Sequence, residues 1–223
     1  MGFSHQEAAF GRIIRMTTAT LTRLSIFPLP GVLLFPGLRL PLHIFEPRYR
    51  ALVADAVARD RRIAMIQPKP DSDREHPELF DMGCVGRIDQ VEAMDDGRYN
   101  LILEGVARFR FNRELDVTTP FRQIEAELLP VDEDPNLSAV MRAALEQESK
   151  RYADRQGYAV DWDSVTKLDD EALVNGIAQI APFDSAAKQA LLEADTLTDR
   201  SELIIQLMQF FGRYDGDNRV TLQ

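Results

Sequence analysis

The most apolar stretch of the chain runs from Leu24 to Leu42, and four prolines, Pro28, Pro30, Pro36 and Pro41, are set into it. Each lacks an amide hydrogen and crowds the preceding turn, so this segment cannot be one continuous helix. What remains are short extended pieces, Ser25–Leu29 and Leu38–Leu42, bounded by Pro and Gly as the buried strands of a small barrel are. The same prolines exclude a membrane helix here, and no other stretch approaches the roughly 18 apolar residues that a span needs. No secretory pattern stands at the start either, because Arg12 and Arg15 interrupt it. A cytoplasmic location with no membrane partner is expected.

The strand pattern continues downstream. Arg61–Gln67 has the apolar centre Ile63-Ala64-Met65-Ile66. Arg87–Met94 and Tyr99–Glu104 flank Asp95-Asp96-Gly97, and Asp-Gly favours a type I′ hairpin, whose two central residues both need positive φ. Ala107, Phe109 and Phe111 alternate with Arg108 and Arg110, which puts both arginines on a wet strand face. Ile124, Ala126 and Leu128 alternate likewise with Gln123, Glu125 and Glu127. One helix interrupts the strands: Pro47 suits its first position, with Glu46 before it, and Leu52, Val53, Ala56 and Val57 form its apolar stripe. Arg59, Arg61 and Arg62 sit near its negative end.

Composition shifts after Pro130. The 223 residues carry 36 acidic and 26 basic side chains, a net charge of −10, and −9 of it belongs to residues 131–223. Pro130 to Pro135 encloses Asp132-Glu133-Asp134, which reads as a solvated linker rather than a calcium loop. Beyond it the periodicity becomes helical. Leu137, Met141, Leu145, Glu148 and Tyr152 share a face that only Glu148 breaks; Leu173, Ile177 and Ile180 follow until Pro182. Asp184 can cap a helix carrying Leu191 and Leu192, and Thr198 one carrying Ile204, Leu207, Met208 and Phe211. Trp162 reads as a cap over this bundle. The expected organisation is therefore α+β: a flexible extension over residues 1–21, an antiparallel β-barrel with one inserted helix over 22–130, and a helical bundle over 131–223. Met16 is a second plausible start, which would leave Met1–Arg15 outside the fold.

The chemistry sought is missing. No Gly-Lys pair exists, so there is no phosphate-cradling P-loop, and no Gly-x-Ser-x-Gly elbow occurs. His5, His43 and His76 lack the i,i+4 spacing of a helical zinc site. Cys84, the single cysteine, has no neighbouring histidine and reads as a small buried hydrophobe; His43 reads as packed or capping. No catalytic residue, metal ligand or cofactor is expected.

The run Phe27-Pro28-Leu29-Pro30-Gly31-Val32-Leu33-Leu34-Phe35-Pro36-Gly37, then Leu40-Pro41-Leu42 and Ile44-Phe45-Glu46-Pro47-Arg48-Tyr49, closely resembles the N-terminal domain of Lon proteases. Gly83-Cys84-Val85-Gly86-Arg87-Ile88 and Glu104-Gly105-Val106-Ala107-Arg108-Phe109 match two further strands of that family in order and spacing. The chain is similar to stand-alone bacterial proteins built from this domain, lacking the ATPase and Ser–Lys protease domains. The resemblance implies a PUA-like barrel followed by helices, and recognition of unfolded or tagged substrates rather than catalysis. Expected partners are unfolded or extended polypeptides, a protease or a chaperone, with self-association open. Candidate peptide contacts are Phe35, Phe45, Tyr49 and Phe80, each of which also fits the core. The loop from Pro68-Lys69-Pro70 to Phe80 would form the mobile rim of such a site. Two rival readings are an RNA-binding PUA-like protein, which the net negative charge disfavours, and a hydrolase with an unrecognised site.

Overall fold

The computed structural model describes residues 21–70, 72–73, 76–130 and 135–217, with side chains as far as residue 212. Residues 1–20 of the expected N-terminal extension, most of the acidic linker and part of the expected mobile rim lie outside the described residues, and Leu21, expected to end that extension, instead opens the first strand. Six strands form one sheet: β1 (Leu21–Pro28), β2 (Arg39–Ile44), β3 (Arg62–Pro68), β4 (Leu79–Ala93), β5 (Tyr99–Glu114) and β6 (Gln123–Leu128). Helix α1 (Pro47–Ala58) lies between β2 and β3. Then come α2 (Ala139–Gln156), the single turn α3 (Trp162–Val165), α4 (Asp170–Ile180), α5 (Ser185–Glu193) and α6 (Leu197–Asp217).

The hydrogen-bonded order is β2-β5-β4-β3-β1-β6, and β6 also pairs with the far half of β5, so the sheet curls back on itself. It is mixed rather than purely antiparallel: β1 runs parallel to β3, with Ile26 opposite Ala64 and Pro28 opposite Ile66. The excursion through β2 and α1 explains this correction, since parallel neighbours need a crossover of a dozen or more residues. Strand β3 is buried from Ile63 to Gln67. Its residues alternate between two apolar clusters. Ile63 and Met65 join the large core shared with the helices, while Ala64 and Ile66 join a smaller one around Phe109 and Ile124.

Two glycines fix the sheet's shape. The β4–β5 connection is not a type I′ turn: Gly97, at φ 79°, is its one residue with positive φ. Gly97 N–H donates to the Met94 carbonyl and Met94 N–H to the Arg98 carbonyl, both at 2.9 Å. This is the longer loop in which a left-handed residue closes an ordinary turn. Gly105, midway along β5, lets the loop after β1 cross the strand, because a Cβ there would lie 2.1 Å from the Phe35 carbonyl oxygen.

The helices follow their caps. Pro47 takes the first position of α1, which buries Tyr49, Leu52, Val53 and Ala56 and leaves Val57, expected on the apolar stripe, 39% exposed. Ser138, Asp161, Asp169 and Asp184 cap α2 to α5 through their side chains. The last helix starts two residues earlier than expected: Thr196, not Thr198, caps it, Thr196 Oγ1 accepting from Asp199 N–H at 3.1 Å while Asp199 Oδ2 accepts back from Thr196. Glu148 does not break the face of α2 outward. It is buried, with Oε2 accepting from Arg151 at 2.9 Å.

Candidate functional site

The helices are held on the sheet by buried and half-buried polar side chains that the sequence pattern does not reveal. Arg108, expected in water, instead reaches the C-terminal end of α5, donating to the carbonyls of Leu192 at 3.0 Å, Ala194 at 2.5 Å and Asp195 at 3.0 Å. A cation there answers the negative end of the helix. Arg200, in the first turn of α6, donates to Leu191 O and Asn175 Oδ1 at 2.8 Å each. Asn175 Nδ2 in turn donates to Pro36 O at 3.1 Å, and Gln189 Nε2 to Met82 O at 3.1 Å. Gln179 spans the same seam, accepting from Phe35 N–H and donating to Arg39 O. Arg110, the other expected wet-face arginine, is exposed.

On the helical part, α2, α3, α4 and α6 leave an open cavity of about 510 Å³. Tyr152 and Ala153 of α2 and Met208 of α6 form its floor, Trp162 and Val165 of α3 one wall, and Ile177 and Ile180 of α4 the other. The connection after α2 adds Tyr158 and Val160. Four of these apolar side chains are left in solvent: Ile180 is 79% exposed, Tyr158 50%, Leu168 42% and Val160 37%. Pro182 ends α4 just beyond Ile180, whose side chain projects while Ala178 in the same turn is fully buried. Covering a side chain of this size is worth about 1.5–3 kcal/mol, and among the described residues no charged side chain lines the cavity. Trp162, expected as a cap over the bundle, instead stands half-buried in the wall, with Lys150 Nζ 5.8 Å over its ring.

The structure does not gather the sequence candidates into one place. Phe35 is fully buried and Tyr49 packs against Phe27, ring centroids 4.2 Å apart. Phe45 is 62% exposed just after β2, and Phe80 lies half-buried within β4 rather than in the loop before it. His43 is not packed in the core and caps no helix: it is exposed on β2, its ring 6.3 Å from that of Phe45 and its Nδ1 2.7 Å from Asn100 Oδ1 on β5. Cys84 is fully buried, and burial pushes its thiol up to about 12, so it carries no thiolate nucleophile at neutral pH. Sequence reasoning missed the cavity. The available signal was Tyr158, Val160 and Leu168, apolar residues lying between helices with no place on any helical stripe.

Comparison with known proteins gives the family. Residues 23–209 match the family described as the ATP-dependent protease La (LON) substrate-binding domain. A Lon protease of Cytophaga hutchinsonii is 26% identical over 194 residues, which are 83% of this chain and 24% of that protein. The chain thus spans about a quarter of the length of such relatives. Two solved structures share its fold. A Lon N-terminal domain protein from Xanthomonas campestris is 23% identical, with a TM-score of 0.64 over 83% of this chain and 98% of that one. The N-terminal domain of the Mycobacterium avium complex Lon protease is 18% identical, with a TM-score of 0.66 over 84% and 98%. A match running from β1 well into α6 takes in both the curled sheet and the helices around the cavity, and the chain belongs to the Lon substrate-binding domain family.

Proposed function

We propose that this chain is a non-catalytic module that holds unfolded or extended polypeptide without ATP, serving as an adaptor in cytoplasmic proteolysis or protein quality control. One observation carries the reading: in a member of a substrate-binding family, an apolar cavity stands open between helices with Ile180 79% exposed at its edge. An extended segment laying two or three apolar side chains against Trp162, Tyr158 and Ile180 gains enough burial for micromolar affinity after the cost of ordering it. Phe45, and Phe80 to a lesser degree, offer outlying contacts on the sheet; Phe35 and Tyr49 serve the core.

The test is an anisotropy titration of a fluorescein-labelled, reduced and alkylated polypeptide with the whole chain, no nucleotide present. Saturable binding is expected, and Ile180→Asp weakens it by about tenfold or more, the equivalent of losing one buried side chain. Circular dichroism of the variant stays native, since the side chain is 79% exposed. No saturable binding, or equal affinity for the variant, overturns the reading.

A further inference from the structure

The segment that supplies most of the cavity's lining is strongly acidic. Residues 153–184, from the end of α2 to the cap of α5, carry seven acidic side chains and two basic ones, Arg155 and Lys167. Asp161 and Asp163 flank Trp162 in the wall, Asp154 follows Ala153 of the floor, and Asp169 follows Leu168. All four are exposed, and none forms a salt bridge among the described residues. Asp161 and Asp169 are fixed in place by their capping roles, Asp161 accepting from Ser164 N–H at 3.2 Å and Asp169 from Ala172 N–H at 2.7 Å. The Ser164 hydroxyl and amide hold the Asp161 carboxyl below its ordinary range, so it is ionised at neutral pH. Against them stand Arg155, Lys167 and Lys150, the last lying over the Trp162 ring.

We infer that this cavity selects apolar polypeptide segments flanked by lysine or arginine, and turns away the same segments flanked by acidic residues. This rests on the peptide-binding reading above and names its substrate class. The division of labour is physical. Apolar side chains entering the cavity supply affinity, while the aspartates, each next in sequence to a lining residue, act on the residues that flank those side chains in an extended chain, spaced about 3.3–3.6 Å per position. Exposed charge pairs contribute little each, but an acidic flank opposite four unpaired carboxylates meets repulsion from all of them, so the charges sort partners more than they hold them. A segment of this kind is what a basic protein exposes when it unfolds. The net charge of −10 extends the same bias to the approach of partners from a distance.

Three short tryptophan-free peptides with one shared apolar centre of Leu, Ile and Phe, flanked by Lys, Ser or Glu, separate the possibilities. Dissociation constants come from the emission of Trp162, the chain's single tryptophan, at about 20 mM and about 500 mM salt. At low salt the Lys-flanked peptide binds about fivefold or more tighter than the Ser-flanked one and the Glu-flanked one binds weakest; at high salt the three converge within about twofold. The double variant Asp161→Asn with Asp163→Asn, which keeps a capping side chain at 161, removes at least half of the low-salt preference. Equal binding of all three peptides overturns the charge selection and leaves peptide binding standing. A preference unchanged in the double variant overturns its assignment to these aspartates. No binding by any peptide overturns both.

Discussion

Replacing Arg108 by alanine tests how the helices are seated on the sheet. The guanidinium makes three hydrogen bonds to the carbonyls at the end of α5, at 3.0, 2.5 and 3.0 Å. A hydrogen bond to a charged group contributes about 1.5–3 kcal/mol net, but two of the three share the Nη1 donor and the third, to Asp195, is exposed to water, so their contributions fall well short of a simple sum. The loss is therefore about 2–3 kcal/mol, which for a chain of this size lowers the melting temperature by about 4–12 °C. Arg110, two residues along β5 and exposed, is the control: Arg110→Ala costs under about 0.5 kcal/mol. Differential scanning calorimetry on both variants gives the comparison. Arg108→Lys recovers only part of the difference, because one ammonium cannot span three carbonyls as the planar fork does. Equal melting temperatures for the alanine variants at 108 and 110 would refute the seam and return both residues to the wet face that the alternation suggests.

Glu114 accepts from Arg122 Nε at 2.8 Å and Nη2 at 2.7 Å, and this pairing holds its carboxyl below the ordinary value. A depressed folded-state value stabilises above the unfolded one and is lost as pH falls through it, so Glu114→Gln melts lower at pH 7 and the gap closes below about pH 4.5. A gap that does not narrow as pH falls below about 4.5 contradicts this. Cys84, sealed in the core with its thiol pushed up to about 12, reacts with a thiol-specific disulfide reagent at pH 8 about a hundredfold slower in the folded chain than in guanidinium. Equal rates would place the thiol at the surface.

Local rules carried the fold far. Four prolines forced the Leu24–Leu42 segment into strands and loops, Pro47 opened α1, and the aspartates at 161, 169 and 184 stand where caps are needed. What local pattern could not reach were contacts between distant residues. Arg108 obeys its strand alternation, yet its partners lie 84 to 87 residues away and decide its environment. The parallel pairing of β1 with β3 depends on where α1 returns the chain, which no period-two pattern records. Glu148 sits on an apolar stripe and is buried with it, the packing of α2 against α6 outweighing its charge. The cavity escaped notice for a related reason. It is a gap between helices, lined partly by link residues, and Phe35 and Tyr49 looked like contacts because aromatic residues near prolines suit a surface and a core equally well.

The emission of Trp162 tests the central claim most directly, since the chain has one tryptophan and it stands in the cavity wall. A tryptophan-free, permanently unfolded polypeptide is titrated in without ATP, and the spectrum is followed to saturation. The cavity reading predicts a saturable shift in emission whose midpoint Ile180→Asp moves to about tenfold higher concentration or beyond. An emission that stays constant while anisotropy of the labelled polypeptide still reports binding would put the client elsewhere on the molecule and contradict it.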